Sequence, residues 1–278
     1  MELEPGGGDR SPDIDYSGSG REGEPLGDDE IVSLDGVPSP ATLVDRVGAK
    51  AANLIQALRA GLPVLPGVVL TSSAAKALAE EHHPDHDRVS RRWLARTNNL
   101  ACEFGGRLVV RSSSPLEDGA RESRAGFSTS VVDVIGDDAV AAATIEVIGS
   151  AGGDAMAVLV QPLVDPIVSG VLFGIDPVTG DDRLLLIAAA GGSPEQLISG
   201  SSATQYHLSH RGRIIGVDHP SDGESVILNR KTVRALARLA HAATQQFKAP
   251  QDVEWAVDGQ ETLWVLQSRT VLAQGPKA

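Results

Sequence analysis

Two stretches near the C-terminal end carry groups able to hold a charged ligand together. Asp252-Val253-Glu254-Trp255-Ala256-Val257 and Leu263-Trp264-Val265-Leu266-Gln267-Ser268-Arg269 alternate Val, Trp and Leu with polar residues around a turn that begins at Asp258-Gly259. This pattern predicts a β-hairpin, for which Asp-Gly between alternating runs is the strongest short-range signal. With an even number of loop residues, strand parity puts Asp252, Glu254, Gln267 and Arg269 on one face. Acid and amide oxygens suit Mg2+, and a guanidinium suits phosphate. The same four side chains also suit an ordinary salt bridge on a water-facing hairpin, which contributes little to stability.

Further cations stand at places where a chain can approach phosphate. Lys50 follows Val47-Gly48-Ala49 and opens a run that reads as a helix, so its ammonium lies beside free backbone N–H groups and the positive end of a dipole. Arg111 ends an apolar strand and is followed by Ser112-Ser113-Ser114, Glu117-Asp118-Gly119 and Ser123 to Ser130. Small hydroxylated and glycine residues let backbone amides come close to phosphate oxygens, with Arg111 as a forked donor. His82, His83 and His86 are clustered, but Pro84, Asp85 and Asp87 between and beside them read as a solvated connection rather than a metal site. Cys102, the single cysteine, excludes an internal disulfide and reads as a small packed residue.

The elements that must position these groups are those of an α/β protein. With 278 residues, 41% hydrophobic but only 3% aromatic, the chain builds its core from aliphatic residues, and 30 Gly and 16 Pro call for many turns. Residues 1–29, rich in Gly, Ser, Asp and Glu, read as a disordered tail. Helices are expected from Lys50 to Leu58 with Gly61 as the stop, over Ser72–Ala79, Arg91–Phe104, Ala139–Ile148 and Thr232–Phe247. Strands are expected within Leu62–Thr71, at Leu108–Arg111, Val131–Val134 and Ala157–Val164, and within Ser169–Gly180 and Leu184–Ile187. A net charge of −13 with no local basic patch visible speaks against nucleic acid, and the absence of a leader or long apolar span speaks for the cytoplasm and against a membrane.

Read in order, seven segments resemble the ATP-grasp nucleotide-binding domain at the N-terminus of phosphoenolpyruvate synthase, pyruvate phosphate dikinase and rifampicin phosphotransferase. They are VGAKAANL, AGLPVLPGVVLT, VVRSSSPLEDGARESRAGFSTS, VLVQPLVD, SGVLFGIDPVTGD, GGSPEQLISG and DVEWAVDGQETLWVLQSR, spread over residues 47 to 269. The resemblance implies an α/β (α+β) ATP-grasp fold of two lobes, 30–156 and 157–273, with tails at 1–29 and 274–278 and the nucleotide between the lobes. It implies phosphate binding at Lys50, Arg111 and Arg269, which are also the catalytic set, and Mg2+ at Glu254 and Gln267 with Asp252 as a supporting acid. Gln161, Pro162, Leu163 and Val164 match the strand joining the lobes, where backbone groups read the adenine edge.

The resemblance also has gaps. None of the seven histidines stands in the T-S-H setting of the family's phosphoacceptor, the helical segments beside VVRSSS are short and lack a family arginine motif, and GVLFGID carries glycine where Thr or Ser is common. The expected activity is therefore that of an ATP-binding component of a dikinase-like phosphotransferase, using Mg2+ and ATP to phosphorylate a histidine on a separate mobile-domain protein for transfer to a small-molecule acceptor. Two alternatives stand beside it: direct ATP-dependent phosphorylation or ligation of a small molecule, and non-catalytic ATP sensing.

Overall fold

The computed structural model describes residues 30–36, 43–115, 129–177, 179–192, 203–221 and 225–271. The expected tails, most of the serine- and glycine-rich segment after Arg111, and the segment after Gly192 lie outside the described residues. Eleven strands and five helices are described: β1 (Ile31–Ser33), α1 (Leu43–Arg59), β2 (Val68–Leu70), α2 (Ser72–Ala79), α3 (His86–Glu103), β3 (Leu108–Ser113), β4 (Ser130–Val134), α4 (Asp137–Gly149), β5 (Ala157–Pro162), β6 (Pro166–Phe173), β7 (Leu184–Gly191), β8 (Thr204–Ser209), β9 (Ile214–Asp218), α5 (Arg230–Phe247), β10 (Gln251–Asp258) and β11 (Leu263–Thr270).

The strands form two antiparallel sheets, ordered β1-β2-β5-β3-β4 and β11-β10-β6-β7-β8-β9. Alternation along β5 divides the core. Val158 and Val160 face a cluster with α2, α3 and α4, whereas Ala157 and Leu159 face a second cluster that runs through α1 to the other sheet and α5. Helix α1 is thus the packing link between the sheets, with Leu54 and Ile55 fully buried. Each such side chain contributes about 1.5–3 kcal/mol relative to exposure. Helix α5 buries Val233, Leu236, Leu239, Ala240 and Ala243 along one stripe, and the Asn229 side chain caps it by accepting from Thr232 N at 2.8 Å.

The chain passes between sheets at Leu163–Asp165, because β5 pairs with β2 and β3 in the first sheet; the expected lobe boundary after residue 156 precedes this crossing. Arg107 fastens the crossing twice: its carbonyl accepts from Leu163 N at 2.9 Å, and its Nη1 donates to Asp165 at 2.6 Å. Helix α3 starts five residues before the expected Arg91, so His86 lies in its first turn rather than in a loop. Strands β8 and β9, for which no expectation was formed, complete the second sheet.

The acidic total conceals one basic surface. Helix α5 exposes Arg230, Lys231, Arg234 and Arg238 and contains no acid. The β8–β9 turn carries Arg211 and Arg213 and packs on it at Gly212, where a Cβ would come within 2.8 Å of Ala237, and at His210, whose ring lies 4.3 Å from that of His241. The expected absence of a local basic patch is corrected here: two segments far apart in sequence make one.

Candidate active site

The hairpin forms, by a different route from the one expected. Its loop has three residues, Gly259-Gln260-Glu261, with Glu261 in the left-handed region at φ 61° and its N–H donating to Asp258 O at 3.0 Å. The Asp258 carboxylate organises this turn by accepting from Gln260 N, Thr262 N and Trp264 Nε1, each at 2.9 Å. An odd loop alone would send Gln267 to the wrong face. The register Trp255↔Val265 followed by Glu254↔Gln267 leaves Leu266 as an extra residue, and this β-bulge restores the parity. Glu254 therefore faces Gln267, and Asp252 faces Arg269.

Val253, Trp255 and Val257 point from the other side of β10 into the core, so the polar pairs face away from α5. Arg111 reaches this polar face from β3. Its Nη1 donates to the Leu266 carbonyl at 2.9 Å, its Nη2 donates to Gln267 Oε1 at 3.0 Å, and Nη2 lies 3.8 Å from Glu254 Oε2. The bulge that corrects the parity also presents the carbonyl that Arg111 grips. Beside this contact β11 meets the segment that precedes β2, where Val265 N donates to Pro63 O at 2.7 Å.

Arg269 Nε and Nη2 both donate to Asp252 Oδ2, at 2.9 and 2.7 Å. Asp252 is buried, and its Oδ1 is without a hydrogen-bond partner. Burial pushes the Asp252 carboxyl above its usual range, Arg269 pulls it back, and the charge of Glu254 adds a smaller push upward.

Lys50 is anchored on β3 next to Arg111, through the carbonyl of Ser112. Gly48, at φ 75° and ψ 167°, breaks α1, and a Cβ there would lie 2.0 Å from Ser113 O. This close approach lets β3 dock on the restarted helix: Ala49 N donates to Ser114 O at 3.0 Å, Ala51 N to Ser113 Oγ at 3.0 Å, and Lys50 Nζ to Ser112 O at 2.8 Å. The expectation of free amides at this helix start is corrected: serines of the strand accept from the N–H groups of Ala49 and Ala51. Lys50 itself is 5% exposed.

Gln161 is turned inward, its Nε2 donating to Leu65 O at 3.1 Å, and Pro162, Leu163 and Val164 follow at the crossing between sheets. The fold therefore brings Arg111, Glu254 and Gln267 into contact, sets Asp252–Arg269 beside them on the same hairpin, and anchors Lys50 on the strand that carries Arg111. The sequence reading missed the Leu266 carbonyl. Its signal was the run Trp264-Val265-Leu266, where alternation fails just before the functional residues.

Residues 151–215 and 205–277 match the family described as pyruvate phosphate dikinase, AMP/ATP-binding domain. The chain is 28% identical over 284 residues to the prodigiosin synthesizing transferase PigC of Serratia marcescens, covering 82% of this chain and 32% of that protein. It is 24% identical to the phosphoenolpyruvate synthase of Aeropyrum pernix, covering 82% of this chain and 40% of that protein. It is 25% identical to the rifampicin phosphotransferase of Bacillus subtilis, covering 60% of this chain and 24% of that protein. The chain thus spans between a quarter and two fifths of the length of these relatives. The chain is thus an α/β protein that is similar over its C-terminal part to the AMP/ATP-binding domain of pyruvate phosphate dikinase and over most of its length to part of phosphoenolpyruvate synthase.

Proposed function

We propose that this chain is the ATP-binding component of a dikinase-like phosphotransferase and phosphorylates a histidine on a separate mobile-domain protein, from which the group passes to a small-molecule acceptor. The observation that carries this reading is the meeting of Arg111 with Glu254 and Gln267 at the junction of two sheets, with the Asp252–Arg269 pair alongside. Phosphoryl transfer needs positioning and charge stabilisation more than a protein nucleophile.

The donor set fits Mg2+: a carboxylate and an amide oxygen directly across a strand pair, with a buried, unpartnered carboxylate oxygen two residues away. Mg2+ is commonly held by one or two carboxylates with phosphates completing its shell. Glu254 and Gln267 would hold it, and bound there it would neutralise charge on the phosphates. Arg111 and Arg269 would bind phosphate oxygens through forked donors, and Lys50 would contribute a point charge from its anchor on β3. At the crossing, Leu163 N–H is engaged by Arg107 O, so adenine recognition falls to the remaining main-chain groups of Pro162, Leu163 and Val164.

The seven histidines lie elsewhere: His82, His83 and His86 around the start of α3, and His207, His210, His219 and His241 on β8, beyond β8 and β9, and on α5. The phosphoacceptor in this reading therefore belongs to another domain. Calorimetry with Mg2+ and ATP, followed by transfer from β-labelled ATP to a mobile-domain protein, tests the reading. Binding and an acid-labile, alkali-stable adduct with release of AMP and inorganic phosphate are expected. A folded protein that fails to bind ATP with Mg2+ sinks it, and rapid turnover with a small molecule and no partner would favour direct phosphorylation instead.

A further inference from the structure

We infer that Arg111 is a built-in counter-cation for the metal-binding oxygens, so that this site takes a divalent metal together with nucleotide phosphate and resists the metal alone. The inference rests on the proposed nucleotide reading and goes beyond it, because it concerns the chain before any ligand arrives.

Three contacts carry it. Arg111 Nη2 donates to Gln267 Oε1 at 3.0 Å and stands 3.8 Å from Glu254 Oε2, the two oxygens assigned to the metal. Nη1 is fixed by the Leu266 carbonyl at 2.9 Å, which sets the plane of the guanidinium over the pair. The Arg111 side chain is only 15% exposed, so solvent screens its charge weakly. A divalent ion on the same oxygens meets a fixed positive charge within a few ångströms. The charge of a guanidinium is permanent. It can only move.

Phosphate gives it somewhere to move to. A bidentate guanidinium–phosphate contact is stronger than a single bond to a neutral amide and another to a carbonyl. Nucleotide phosphates thus draw Arg111 off Gln267 and Glu254 and free these oxygens at the moment the metal arrives. The Leu266 bulge has a role in this arrangement, because an unbulged strand would not offer that carbonyl beside Gln267.

The test uses Mn2+ alone as the probe, followed by paramagnetic resonance of the full chain without nucleotide. Wild type is expected to bind Mn2+ weakly. Arg111→Met removes the charge and keeps much of the stem, and is expected to raise affinity for Mn2+ alone by about tenfold or more while lowering affinity for ATP with Mn2+. Arg111→Lys, which keeps the charge, is expected to leave the affinity for Mn2+ alone low, and Gln267→Ala in the Arg111→Met background is expected to abolish the gain. Opposite signs for the metal and for the nucleotide are what a merely structural arginine would not produce. If Arg111→Met is too unstable, the wild-type Arg111 side-chain Nε–H resonance gives the answer: it is expected to shift with ATP and Mg2+ and to stay in place with millimolar Mg2+ alone. An unchanged or reduced affinity for Mn2+ alone in Arg111→Met, or a resonance that ATP and Mg2+ do not move while they bind, overturns the inference. Failure of ATP with metal to bind wild type at all overturns the nucleotide reading instead.

Discussion

Glu254 and Gln267 stand directly opposite each other across β10 and β11, and they do so because Leu266 is bulged out of the ladder. A facing pair presents one carboxylate and one amide to the same point, whichever strand carries which. Glu254→Gln should weaken binding of Mn2+ with ATP by about tenfold, the loss of one charged contact. The exchange Glu254→Gln with Gln267→Glu should recover most of it, as titration calorimetry can show. An exchange no better than the single substitution would mean that the two side chains do not share a ligand.

Gly48 provides a test of the docking between α1 and β3. Both Gly48 and Gly105 have positive φ, 75° and 86°, but a Cβ at Gly105 meets nothing within 4 Å whereas at Gly48 it lies 2.0 Å from a Ser113 main-chain oxygen. Gly105→Ala should cost about 1 kcal/mol of unfolding free energy, the backbone strain alone. Gly48→Ala should cost about 4 kcal/mol or more, because strand and helix must separate. Urea titration of both variants decides, and equal costs would contradict the close approach.

Much of this fold was legible because its periodicities are local. The stripe of α5, the span of α2, the strand leading to Arg111 and both arms of the hairpin follow from residue spacing, and family order joined them. What was not legible depends on pairs distant in sequence. Ser113 and Ser114 lie about 65 residues from the start of the helix, yet they accept from the N–H groups of Ala51 and Ala49. Leu266 becomes a bulge only because a three-residue loop has fixed the register of the strands before it. Arg211 and Arg213 join the bases of α5 through a turn whose packing on Ala237 no local pattern announces. Gln161, polar within an apolar strand, is tied to Leu65 O across 96 residues.

Among the described residues three non-glycines have positive φ: Asp133 in β4, φ 58°, Lys248 at the C-cap of α5, φ 57°, and Glu261 in the hairpin loop, φ 61°. Glycine adopts this region without the Cβ conflict, which costs roughly 1–2 kcal/mol per residue, although its greater freedom in the unfolded chain returns part of that. Lys248→Gly and Glu261→Gly should each stabilise by about 0.5–1 kcal/mol and raise the melting temperature by about 1–4 °C. Calorimetric scans showing a lower melting temperature for either variant would place that residue outside the left-handed region.

Asp252 and Arg269 should separate in their effects on stability and on catalysis. The Asp252 carboxylate is buried with one oxygen unpartnered, whereas the Arg269 side chain is 54% exposed, so the acid bears most of the desolvation cost of the pair. Asp252→Asn removes the buried charge together with its attraction to Arg269, and these losses nearly cancel. The unfolding free energy should change by less than about 1 kcal/mol. Arg269→Ala leaves the acid buried and unpaired and should destabilise the chain more, with the double variant recovering part of the loss. The pH dependence follows from the same contacts. Burial already raises the carboxyl pKa of Asp252 and Arg269 is what pulls it back, so removing Arg269 raises it further above its unfolded value. An acid whose folded pKa is raised destabilises the fold as pH climbs through that value. The deficit of Arg269→Ala should therefore shrink as pH is lowered from neutral toward the carboxylate range. In phosphoryl transfer Arg269→Ala should lose roughly 10²-fold in rate, the effect of removing one preorganised donor, and Asp252→Asn should lose less because the guanidinium remains without its anchor. Denaturation at several pH values alongside single-turnover assays measures both. A deficit for Arg269→Ala that grows as pH falls would show that the Asp252 charge is not what the arginine compensates.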